Sequence, residues 1–135
     1  MHSRYEVGLE QYALTIHVEA KLSLELGATV ILPAAMRYQT EVAQNVATLK
    51  AAGMEPSIAL LEDVSAPIAD LVSSLADLKK GLEDHSAVSA MDEASHAQSL
   101  LPAMEAVRAA ADTLEGVVAD DLWPLPTYQE MLYIL

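Results

Sequence analysis

A chain of 135 residues is long enough for one domain with a buried core and too short for two. Its formal net charge of −13, from 20 acidic against 7 basic residues, argues against nucleic-acid binding by a basic surface and against attachment to anionic lipid. The absence of cysteine removes disulfides and thiolate metal sites and fits a cytoplasmic location.

Hydrophobic residues make up 53% of the chain, yet aromatic residues only 4%, with no Phe. A core of Leu, Ala, Val, Ile and Met suits helix–helix interfaces better than a sheet. The expected fold class is therefore all-α: an antiparallel helical bundle of three long helices, with an N-terminal helix or arm and a Pro-rich extended C-terminal tail. Residues 1–12 carry charges where a secretory leader needs an apolar segment. The longest apolar stretch, Leu26 to Met36, is interrupted by Gly27, Thr29 and Pro33 and is too short to span a bilayer.

The first helical stretch runs from Arg4 to Ile31. Tyr5, Leu9, Tyr12, Ile16, Ala20 and Leu24 mark one apolar face, and Leu14, Val18, Leu22 and Leu26 mark a second. A helix apolar on two sides expects neighbours on two sides. Pro33 either kinks one long helix or opens a second at the favoured first position. The continuation, Ala34 to Ala52, carries Ala35, Val42, Val46 and Leu49 on one face, and Gly53 followed by Pro56 reads as its stop. These stretches form an N-terminal helix pair over 4–52, in which the second closes a three-helix bundle and the first is a fourth member or an arm.

From Ser57 to Asp84 the sequence carries its sharpest pattern. Leu61, Val64, Ile68, Leu71, Leu75, Leu78 and Leu82 alternate spacings of three and four, a heptad seam. Pro67 lies off it. Asp84, His85 and Ser86 supply a turn, and a fourth stretch, Val88 to Ala119, repeats the pattern with Leu100, Met104, Val107, Ala111, Leu114 and Val118. Two such seams joined by a short polar link predict a helical hairpin over 57–119. Pro102 should kink the last helix without ending it. Residues 120–135 change character: Pro124 and Pro126 force extended geometry on Leu122–Pro126, and Thr127 with Glu130 has capping-box spacing for a short helix over Tyr128–Tyr133.

Few constellations suggest chemistry. Glu93 and His96 have the Glu-x-x-His spacing of carboxylate-bridged di-metal bundles, but no second copy exists, and the ordinary reading is a solvated helix start. His17 with Lys21 one turn on could be a phospho-accepting pair, although that spacing arises often by chance. Leu78-Lys79-Lys80-Gly81 has no histidine one turn before it. There is no Gly-x-Ser-x-Gly elbow and no glycine-rich phosphate loop. No catalytic, cofactor-binding or metal-binding residue is assigned, and the chain alone is not expected to be an enzyme.

Two segments exceed generic helix. One is Arg4-Tyr5-Glu6 continuing to Glu19-Ala20, then Ile31-Leu32-Pro33-Ala34 and Tyr38-Gln39. The other is Leu122-Trp123-Pro124-Leu125-Pro126-Thr127-Tyr128, followed by Glu130, Met131 and Leu132. In this order and near this separation they resemble the C-terminal region of type III glutamine synthetases, long-chain bacterial ligases that join ammonia to glutamate with ATP. The resemblance implies a helical domain at the C-terminal end of a larger enzyme. Residues 1–135 would then form one non-catalytic unit serving packing and assembly of a homo-oligomer. Its partners would be the catalytic domain and neighbouring subunits, met by the second apolar face of the first helix and by Trp123, Leu125, Tyr128 and Leu132. ATP and divalent metal are implied for the parent enzyme and not for this chain. The alternative is a free-standing acidic helical-bundle adaptor or phosphotransfer protein using His17 or His96.

Overall fold

In the computed structural model, residues 4–84 and 89–126 are described. Four α-helices account for most of them: α1 (Arg4–Leu26), α2 (Leu32–Ala51), α3 (Ala59–Glu83) and α4 (Ala90–Glu115). No strand occurs among the described residues. A single π turn, Gly27–Ile31, joins α1 to α2, so that backbone helix runs unbroken from Arg4 to Ala51, about 70 Å at 1.5 Å per residue.

Pro33 therefore neither ends a helix nor starts an independent one. It stands in the first turn of α2, directly after the π turn, where the Leu32 N–H bonds to the Gly27 carbonyl five residues back. A proline in ordinary α geometry crowds the carbonyl four residues before it. Widening the ring just upstream relieves that crowding and lets the helix continue. The expectation of an N-terminal arm is corrected on the same ground: with no break at Pro33, α1 is the first half of one long bundle member and lies along α4.

The bundle is three rods, running up, down and up. Gln39 Nε2 on α2 donates to Ser65 Oγ near the start of α3 (3.0 Å), and Gly27 abuts Leu75 farther along. That register makes α3 antiparallel to the α1–α2 rod. Gly81 near the end of α3 abuts Leu100 in α4, which turns the chain upward again.

The α3 seam is the core's spine. Val64, Ile68, Leu71, Leu75 and Leu78 are buried, with Leu61 and Leu82 half-buried at its ends. Leu100, Met104, Val107, Ala110 and Leu114 on α4 face it. Pro67 is buried inside α3 and Pro102 is exposed inside α4; both helices run through their prolines. From α1 the buried residues are small ones, Ala13, Ala20 and, in the π turn, Gly27, at seven-residue intervals. Only a helix presenting so little side chain can approach two neighbours this closely.

Ends are capped by recognisable means. Gly53 takes φ +87° and closes α2 in a Schellman arrangement, its N–H on the Lys50 carbonyl and the Met54 N–H on the Leu49 carbonyl (both 3.0 Å). Ser89, in extended conformation, caps α4 by accepting from the Asp92 N–H at 3.1 Å. Beyond α4, residues 116–123 turn on themselves, and 124–126 are non-helical. Val118 is buried there, while Leu122, Trp123 and Leu125 pack against the core. The short helix expected over Tyr128–Tyr133, with Tyr128 and Leu132, lies outside the described residues, as does the turn at His85 and Ser86.

Candidate functional site

Two features of the bundle go beyond core packing. The first is a histidine bridge. Because Ala13 and Ala20 flank His17 on α1, and Ala97 adjoins His96 on α4, the two helices come close enough for the imidazoles to meet. His17 Nε2 lies 2.8 Å from His96 Nδ1, with the ring centroids 5.0 Å apart and the planes 22° from parallel. The outer nitrogens are engaged as well: His17 Nδ1 donates to the Ala13 carbonyl, and His96 Nε2 donates to the Gly81 carbonyl at the end of α3 (both 2.8 Å). One polar chain thus links α1, α4 and α3, and both rings are half-buried.

This bridge puts the sequence candidates in their places. His96 pairs with a histidine 79 positions away, not with a second Glu-x-x-His motif. Among the described residues, no group of three or more His, Cys, Asp or Glu side chains is placed to hold a metal ion. Gly81, from the Lys79-Lys80-Gly81 run, contributes its carbonyl and its missing side chain: a Cβ there would stand 2.8 Å from Leu100 Cδ2. Nothing in periodicity could have paired His17 with His96. The available signal was the run of small residues around each, which marks where two helices can touch.

The second feature is the outer face of α1. Leu14, Val18 and Leu22 are 64%, 56% and 52% exposed, and Val7 continues their line toward the N-terminus. At 100° per residue these four fall within one sector, on the far side of the helix from Ala13 and Ala20. Leu14, Val18 and Leu22 belong to the second apolar face read from the sequence, whose last member Leu26 is half-buried, and no element among the described residues covers the three. Part of the first face stays outside the core too, since Tyr5 and Tyr12 are exposed.

Trp123 and Leu125 are half-buried against this chain's own core. The Trp123 indole Nε1 is buried with no acceptor among the described residues. A shallow groove between α3 and α4, lined by Asp70, Ser73, Ser74, Asp77 and Thr113 with alanines between, has no basic residue in its lining. No described helix is long and apolar enough to cross a membrane.

The family model described as the glutamine synthetase C-terminal domain matches residues 1–50, covering α1, the π turn and most of α2. Nearly the whole chain matches curated relatives. It is 28% identical to the type-3 glutamine synthetase of Dictyostelium discoideum over 99% of its length. With a glutamine synthetase of Bacteroides fragilis it shares 26% over 96%, and with one of Butyrivibrio fibrisolvens 27% over 100%. The chain spans about a fifth of the length of each of these relatives. No solved structure matches it. The chain is thus similar over nearly its whole length to these glutamine synthetases, and over residues 1–50 to the family's C-terminal domain.

Proposed function

We propose that this chain is an assembly domain at the C-terminal end of a type III glutamine synthetase, and that the outer face of α1 is where it meets the rest of the enzyme or a neighbouring subunit. The parent reaction would be ATP-dependent ligation of ammonia to glutamate, performed elsewhere in the polypeptide. The observation that carries this reading is the line of Val7, Leu14, Val18 and Leu22, exposed on a helix whose opposite side is already buried. Apolar side chains aligned over four turns of a helix imply a covering partner more readily than isolated exposed ones do. The family match falls on this same helix.

Each subunit contributes this domain indirectly, by fixing geometry between parts and not by supplying groups to the reacting atoms. The homo-oligomer expected from the resemblance would use copies of the face at each boundary. The rival reading, a phosphotransfer adaptor, requires a histidine nitrogen open to a phosphoryl donor. His17 and His96 are half-buried, with all four ring nitrogens in hydrogen bonds, and this favours the assembly reading.

The test is substitution of Leu14, Val18 and Leu22 together by Ser in the full-length polypeptide, with particle mass measured by analytical ultracentrifugation. The reading expects smaller particles and unchanged helical content. Full-sized particles from the triple variant would remove the face from assembly.

A further inference from the structure

We infer that His17 and His96 hold one proton between them, so that the pair is a half-buried monocation where α1, α3 and α4 meet. The inference rests on proton bookkeeping over three hydrogen bonds. A backbone carbonyl can only accept. The contacts of His17 Nδ1 with the Ala13 carbonyl and of His96 Nε2 with the Gly81 carbonyl, each 2.8 Å, therefore place one proton on each outer nitrogen. Those two protons make both rings neutral and leave both inner nitrogens as bare lone pairs.

The inner nitrogens are nevertheless 2.8 Å apart. Two lone pairs at that distance repel, and two N–H groups pointing at each other would repel more strongly. Only a third proton, bonded to one inner nitrogen and accepted by the other, makes all three contacts attractive. Three protons on four nitrogens is one more than neutrality, so the pair carries a single positive charge. A charge-assisted bond of this type is shorter and stronger than a neutral one.

A metal ion fits the gap less well than a proton. Two imidazole nitrogens on one tetrahedral zinc, each about 2.0–2.1 Å from it, stand about 3.3 Å from each other. The observed separation is a hydrogen bond's. By position along the chain, the charged residues nearest the bridge on each helix include Glu10 and Lys21 on α1, Asp77 and Lys80 on α3 with Asp84 just after it, and Asp92 and Glu93 one turn before His96 on α4. Acids outnumber bases among them, and the chain as a whole carries −13, a setting that suits a cation.

The shared proton acts as a latch. Without it each ring keeps its own carbonyl, but the link between α1 and α4 is lost. Because α1 also carries the exposed apolar face, the latch fixes the helix that presents that face. Its occupancy is a property of the bundle and does not depend on what covers α1.

The test is nitrogen-15 NMR of the chelator-treated, histidine-labelled chain at neutral pH, with resonances assigned through His17→Gln and His96→Gln. The expected result is a scalar coupling across the hydrogen bond between His17 Nε2 and His96 Nδ1, with protonated-type shifts for His17 Nδ1 and His96 Nε2. Two inner nitrogens with lone-pair shifts and no coupling would overturn the proposal. So would inner nitrogens that lack the coupling in the chelated chain and couple instead to cadmium-113 when one equivalent is added, since the site would then be a metal's.

Discussion

Replacing Gly27 by Ala tests the packing of the long helical rod against α3. In the π turn Gly27 has helical backbone, so an added methyl group brings the ordinary gain of alanine over glycine, about 0.5–1 kcal/mol. Its Cβ, however, would stand 2.7 Å from Leu75 Cδ2 and 3.6 Å from Cδ1. Leu75 is buried in the α3 seam, with little room to turn away. Overpacking of this kind costs about 1–3 kcal/mol. The net expectation for Gly27→Ala is destabilisation of up to about 2 kcal/mol. In a Leu75→Ala background, itself destabilised by about 2–5 kcal/mol, the obstacle is gone and the same change should stabilise by up to about 1 kcal/mol. Urea denaturation of the four proteins gives the coupling as a double-mutant cycle. An equal effect of Gly27→Ala in both backgrounds would refute the close approach of these helices.

Other outcomes follow from the same structure. Gly53→Ala places a side chain at φ +87° and should destabilise by about 1–2 kcal/mol, lowering the urea midpoint and fraying the end of α2 in amide exchange. Ser89→Ala removes the acceptor that caps α4, for a loss of about 1 kcal/mol read by the same denaturation. Trp123→Ala should lower stability by about 3 kcal/mol, because the indole covers this chain's core; a melting temperature unchanged by that substitution would mean the tail is only loosely applied.

How much of this was legible in the sequence depends on side-chain size. The seams from Leu61 to Leu82 and from Leu100 to Val118 could be read because large apolar residues recur at heptad spacing and nothing competes with them. On α1 two apolar faces competed, and the buried side is set by Ala13, Ala20 and Gly27, which carry too little hydrophobicity to stand out in a pattern. They are buried because they let helices approach, and closeness is a tertiary property. Pro33 leaves two readings open for a related reason: the π turn that accommodates it depends on backbone geometry no single residue announces. The histidine bridge was invisible because its partners lie 79 positions apart and each alone reads as a surface residue. Leu122–Pro126 reads as extended and apolar, with Trp123 expected to meet a partner, but composition does not decide between its own bundle and another subunit.

The central claim, that the outer face of α1 is covered in the parent enzyme, is most directly tested by thiol labelling at Val18→Cys, the natural chain having no cysteine. Labelling is followed by mass spectrometry of the peptide containing residue 18, in the 135-residue chain and in the full-length polypeptide. The account predicts rapid modification in the chain, where Val18 is 56% exposed, and strong protection in the full-length assembly. Equal labelling rates in the two would contradict it.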